Sequence, residues 1–167
     1  RFCMQSTIDA EYISHLGADK RKILVTGNTK FDQTYAEVTP EDLARYKEEL
    51  GIKDSFPVIV AGSTHPTEEK ALFEAFQEVR KVYPAARLVI APRKIARAEE
   101  IAKLGRQYGL ETGLRSRLLQ VEGERPHDPL LLIDTIGELG RIYAVGDVVF
   151  VGGSLITGGR GKYLGML

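Results

Sequence analysis

Apolar residues along the chain fall into short unbroken runs separated by longer amphipathic stretches. Pro57–Ala61 (P-V-I-V-A), Leu88–Ala91, Leu130–Ile133 and Val148–Val151 are continuous rather than alternating. Runs of this kind fit strands covered on both faces, as in a parallel sheet. Between them the period becomes helical. Leu72, Phe73, Phe76 and Val79 line one face of a helix expected over Pro66–Val82. Further helices are expected over Ala96–Tyr108 and Glu138–Ala144, with a short strand at Thr112–Arg115 and a charged loop at Glu122–Asp128. Strands alternating with helices predict an α/β fold, a Rossmann-like doubly wound parallel sheet.

The first part of the chain reads differently. Phe2–Gln5 looks like the end of a strand, followed by a helix from Ser6 or Thr7 to Leu16 that stops at Gly17. Lys22–Thr26 is a short apolar strand. Thr39-Pro40-Glu41-Asp42 combines an N-cap, a proline at the first helical position and an acidic first turn, and that helix runs to Leu50 and ends at Gly51. Residues 1–50 are therefore expected to be a separate segment ending in a linker helix, with the α/β domain proper starting near Lys53.

Composition narrows this only slightly. Acidic and basic residues balance at 23 each and 43% of residues are hydrophobic, which fits a cored globular chain without a global field for nucleic acid. One cysteine, Cys3, excludes an internal disulfide framework. No apolar run reaches the roughly 18–20 residues of a membrane span. The chain opens at Arg1 inside a strand-like run and closes without a cap, so it reads as part of a longer protein.

In open α/β sheets ligands bind beyond the carboxyl ends of the strands. Four such ends carry glycine or polar residues: Gly62-Ser63-Thr64-His65, Pro92-Arg93-Lys94, Asp134-Thr135-Ile136-Gly137-Glu138 and Gly152-Gly153-Ser154. Gly62, Gly152 and Gly153 admit two readings, a close backbone approach to phosphate or ordinary turns. Ser63 and Thr64 either contact phosphate or cap the next helix. His65 is either an acid–base group or a capping residue. Arg93 can meet a phosphate with two hydrogen bonds, with Lys94 as a helper or as plain surface. Glu138 is either an acceptor for ribose hydroxyls or a base amino group, or a surface carboxylate favoured by the helix dipole. Asp134 reads as a cap, and Arg97, Arg106 and Arg115 as surface charge. No His/Cys/Asp/Glu cluster has metal-ligand spacing, so no metal is expected.

Taken in order, F-C-M-Q-S (2–6), L-G-A (16–18), V-T-G-N-T-K-F-D (25–32), A-G-S-T-H (61–65), A-P-R (91–93), D-T-I-G-E-L (134–139) and Y-A-V-G-D-V-V-F-V-G-G-S-L (143–155) resemble the Kdo (3-deoxy-D-manno-octulosonic acid) transferases of lipid A biosynthesis. The resemblance implies a GT-B glycosyltransferase, with residues 1–50 as the end of the acceptor domain and interdomain link and 51–167 as a truncated donor domain. It implies transfer of Kdo from CMP-Kdo to lipid IVA in lipopolysaccharide synthesis, at the cytoplasmic face of the inner membrane of a Gram-negative-type bacterium. The membrane would be reached through an N-terminal part outside this chain. CMP-Kdo would be a substrate, and no cofactor, metal or nucleic acid is implied. CMP-binding positions carry over to Pro92, Arg93, Ile136, Gly137 and Glu138. Ser63, Thr64, His65, Gly152, Gly153 and Ser154 are candidate phosphate or sugar contacts.

The family's catalytic carboxylate precedes this segment, so no catalytic residue is assigned and the chain alone is expected to be inactive. The family usually continues G-G-H-N-x-L-E after the double glycine. Here Gly158-Gly159-Arg160-Gly161-Lys162-Tyr163-Leu164 lacks the His, Asn and Glu, and Lys94 stands where histidine is common. Two other readings remain: a UDP-GlcNAc 2-epimerase-like enzyme, against which residues 134–139 argue, and a non-catalytic nucleotide-binding module.

Overall fold

A computed structural model describes residues 1–28, 38–120 and 127–155. The loop expected over 122–128 lies largely outside these residues, as does the stretch 158–164. By contacts the chain divides into two compact units, Arg1–Glu37 and Val38–Leu167. The dividing line lies ahead of the helix that was read as a linker, because that helix buries its Tyr46 in the core of the second unit.

In the first unit, β1 (Phe2–Met4) and β2 (Ile23–Val25) pair in parallel, joined by α1 (Thr7–His15). Ser6 caps α1, its hydroxyl oxygen accepting from the Asp9 N–H at 3.1 Å.

The second unit opens with α2 (Pro40–Glu49), capped by Thr39 as its sequence predicts: the Thr39 hydroxyl oxygen accepts from the Asp42 N–H at 3.1 Å. There follow β3 (Val58–Thr64), α3 (Glu68–Val82), β4 (Arg87–Pro92), α4 (Ala98–Gln107), β5 (Thr112–Leu114), α5 (Arg115–Leu118), β6 (Leu130–Leu132), α6 (Leu139–Ala144) and β7 (Val148–Val151). The strands form one parallel sheet in the order β5-β6-β4-β3-β7.

Side chains alternate across this sheet and build two cores. Val60, Val89 and Leu131 meet Tyr46, Leu50, Leu118 and Ile142 on the face of α2, α5 and α6. Leu88, Ile90, Leu130 and Leu132 meet Phe73, Phe76 and Ile101 on the face of α3 and α4. Two buried faces explain why β4 and β6 read as continuous apolar runs, and the expected Rossmann-like doubly wound sheet is what forms. No helix among the described residues is long and apolar enough to cross a membrane.

Two of the shifted boundaries bear on the site. β3 continues through Thr64, and α3 begins at Glu68 rather than Pro66. The extra strand residues pair onward, Thr64 with Pro92, after a bulge in which Ser63 takes φ 55. Ser63 and Thr64 are thus strand residues and not helix caps.

Candidate functional site

The helices that follow β4 and β6 lie on opposite faces of the sheet, although the two strands are neighbours. Their exits therefore diverge and leave a crevice, which is where open α/β sheets take ligands. The structure has a cavity of about 340 Å³ at this point, lined by Pro92 at the end of β4, by Arg93 and Ile95 beyond it and by Thr135, Ile136 and Gly137 after β6, with Ser63 at one side. Its size falls in the range of small-molecule sites. Four of the five positions expected to bind CMP meet here.

Each wall has a simple cause. Pro92 ends β4 and is buried, while Arg93 donates its backbone N–H to the Thr64 carbonyl at 3.0 Å and leaves its side chain exposed. Ile136 is 88% exposed, and Gly137 turns the chain at φ 90, a value that side-chain-bearing residues rarely adopt. Asp134 does not cap its own helix. Its carboxylate accepts from the backbone N–H of Ser116 at 2.8 Å and from the Ser116 hydroxyl at 2.5 Å, at the start of α5.

Glu138 does not line the cavity. Oε1 accepts from the Thr135 hydroxyl at 2.6 Å, and Oε2 from the Tyr46 hydroxyl at 2.8 Å and Arg115 Nε at 3.0 Å. Burial pushes its pKa upward, but these donors and the Arg115 charge outweigh burial and hold the carboxyl below its ordinary value. Burial and the bond to Glu138 raise the Tyr46 phenol. Arg115 was read as surface charge but is only 4% exposed, because it also reaches Glu49. Tyr46 and Arg115 carried no motif; their position beside Glu138 follows from the packing of α2 and α5 on one face.

The β3/β7 side is built differently. Gly153 was a candidate phosphate or sugar contact, with an ordinary turn as the alternative. The N–H instead donates to both oxygens of Glu68, at 2.9 and 3.1 Å. The same carboxylate accepts from the N–H of Leu155 at 3.1 Å and of His65 at 2.8 Å, and Glu68 is 1% exposed. Backbone N–H groups clustered in this way favour an anion, and the anion present is the protein's own. The Gly152 N–H is taken by the Gly62 carbonyl at 2.8 Å. A side chain at Gly152 would collide with the Ser63 carbonyl, so close strand approach accounts for this glycine. Gly62 lies under the Tyr143 ring, which leaves no room for a Cβ there either.

Thr64 is fully buried, and its hydroxyl donates to Glu69 Oε1 at 2.9 Å. Arg97, read as surface charge, pairs with that same buried Glu69 at 2.7 Å and with Glu100 at 3.0 Å. The bond to Glu69 raises the pKa of the guanidinium. Ser154 turns its hydroxyl onto the Val151 carbonyl at 2.6 Å. Of the six candidate phosphate or sugar contacts, only Ser63 lines the crevice. A second hollow of about 590 Å³ lies in the first unit beside α1 and β2, and no motif residue of the donor-site set lines it. Among the described residues, no group of three or more His, Cys, Asp or Glu side chains could hold a metal ion.

No family model matches the chain. Among curated proteins it is 32% identical over 156 residues to a bifunctional glycosyltransferase/methyltransferase of Fusobacterium nucleatum, across 93% of this chain and 23% of that protein. It is 30% identical over 154 residues to the 3-deoxy-D-manno-octulosonic acid transferase of Aquifex aeolicus, across 92% of this chain and 37% of the relative. The chain thus spans well under half the length of these relatives. Among solved structures, the C-terminal CMP-Kdo binding domain of WaaA from Acinetobacter baumannii aligns with a TM-score of 0.59 and 27% identity, over 70% of this chain and 58% of that one. The resemblance read from the motifs therefore holds in sequence and in fold: this chain is similar to the Kdo transferases and to a C-terminal CMP-Kdo binding domain.

Proposed function

We propose that this chain supplies the donor side of a glycosyltransferase that moves Kdo from CMP-Kdo to lipid IVA in lipopolysaccharide synthesis. The observation that carries the reading is the β4/β6 crevice, where Pro92, Arg93, Ile136 and Gly137 line one cavity. The likeness to a CMP-Kdo binding domain supports the same ligand. CMP-Kdo is the substrate, and no cofactor is invoked. The acceptor and the cytoplasmic face of the inner membrane would be reached through parts of the whole protein other than this chain.

The chemistry asks two things of this half. The sugar leaves CMP through a transition state with oxocarbenium-like charge, while negative charge grows on the departing phosphate. An exposed guanidinium at a strand end, Arg93, suits that charge. The Thr135–Gly137 turn offers backbone groups for the nucleoside. A base must also deprotonate the acceptor hydroxyl, and none is assigned among these residues.

Calorimetric titration tests the reading. CMP is expected to bind in preference to UMP and UDP, and Arg93→Ala to weaken it. Tighter binding of UDP would favour an epimerase-like protein instead. Mixed with CMP-Kdo and lipid IVA, the chain alone is expected to give no transfer; turnover would mean that the base lies within it.

A further inference from the structure

The turn that forms one wall of the crevice has almost no packing of its own. Ile136 is 88% exposed, and around Gly137 there is open space where a side chain would start. A turn without apolar contacts is placed by its polar ties or not at all. It has two. On one flank Asp134 is held by Ser116. On the other flank Glu138 is held by three donors, from Thr135, Tyr46 and Arg115. Both carboxylate oxygens are engaged, so Glu138 is occupied as an anchor.

The anchor is itself built on rigid ground. Tyr46 is 1% exposed within the core that joins α2 to the sheet. The Arg141 guanidinium lies over its ring, 4.2 Å from the centroid. Arg115 donates to the Glu49 carbonyl at 3.2 Å and approaches the Glu49 carboxylate at 3.6 Å. Two residues of α2, Tyr46 and Glu49, therefore hold the group that holds the turn.

We infer that Tyr46 and Arg115 are positioning residues of the nucleotide turn, acting through the Glu138 carboxylate, which orients Thr135–Gly137. That the turn meets a nucleotide rests on the function proposed above; that it is held from α2 does not. The inference ties nucleotide affinity to the placement of α2, the helix with which the second unit begins.

Tyr46→Phe is the test, since it keeps the ring beneath Arg141 and removes only the hydroxyl. Backbone amide order parameters from 15N relaxation are measured on the ligand-free chain, and CMP affinity by calorimetry. Removal of the hydroxyl should lower the order parameters of residues 135–138 toward the flexible range, below about 0.6, while β3 stays near about 0.85. CMP affinity should fall about tenfold, the lower end of what a hydrogen bond to a charged group is worth. Unchanged order parameters at 135–138 overturn the inference. So does a fall throughout the sheet, which would mean a general loss of stability. A local fall with unchanged or tighter CMP binding overturns the link to the nucleotide. If the unaltered chain binds no CMP, the proposed function fails, and the order parameters still decide whether α2 holds the turn.

Discussion

The two halves of the sheet's carboxyl edge begin with similar signals and end in different states. At β3/β7, glycines and small polar residues close over buried carboxylates, and Glu68 and Glu69 are each 1% exposed. At β4/β6 the residues part and leave a cavity of about 340 Å³. Each edge carries groups suited to negative charge, backbone N–H groups around Gly153 at one and the Arg93 guanidinium at the other. Whether that charge comes from a ligand depends on whether a carboxylate from the next helix reaches it first. Glu68 does, from the first turn of α3, by accepting from His65 in the same turn and from Gly153 and Leu155 beyond β7. Among the described residues no carboxylate lines the β4/β6 crevice, and Glu138 is drawn away by Tyr46 and Arg115.

This contrast predicts that the filled edge governs stability and the open edge governs binding. The largest effect should come from Arg97→Ala, which strands Glu69 as a buried, unpaired charge. Breaking a buried pair from one side costs about 3–5 kcal/mol, to be read from urea unfolding. Glu68→Gln comes next. Its amide group would point N–H at N–H and leave a buried donor without an acceptor, a loss of about 2 kcal/mol in the same experiment. Arg93→Ala should lower CMP affinity about tenfold and change unfolding by less than about 0.5 kcal/mol. A large stability loss there, or CMP binding that depends on Glu68 as directly as on Arg93, would collapse the distinction.

The smallest effect is one of pH. Glu138 has a folded pKa below its usual 4.5, so the unfolded chain takes up the proton first on acidification. Its contribution to stability is present above about pH 4.5 and fades as pH falls toward the folded value. In thermal unfolding between pH 6 and pH 3, Glu138→Gln should flatten this part of the profile; an unaltered slope would mean that the carboxylate is not held as described.

The strands were legible as apolar runs too short for helices and bounded by turn residues. β4 and β6 bury both faces, while β7 at the sheet edge keeps the same pattern with Val148 and Val149 exposed. The caps at Ser6 and Thr39 were legible because N-caps are local: donor and acceptor stand three residues apart. Pro92, Arg93, Ile136 and Gly137 come together at one crevice because strand ends in a parallel sheet share one edge. What failed was any judgement that needed a distant partner. Arg97 and Arg115 looked like surface charge because Glu69 lies 28 residues from the first and Glu138 lies 23 from the second. The glycine pair was left with two readings, a close approach to phosphate or ordinary turns. The Gly153 N–H serves Glu68 of the same chain, and nothing at 152–154 announces that partner.

Gly152 carries one more consequence, for how such motifs are used to infer descent and activity. It sits where any side chain would strike the Ser63 carbonyl, and its neighbour's N–H serves an internal carboxylate. Both demands come from assembling the sheet, so they would persist in a copy of the chain that had lost its substrate altogether. Finding this glycine pair in a newly sequenced relative would therefore testify that the strands meet in the same way. Whether that relative still handles a nucleotide sugar would have to be judged from positions such as Arg93, whose side chain the fold leaves free to change.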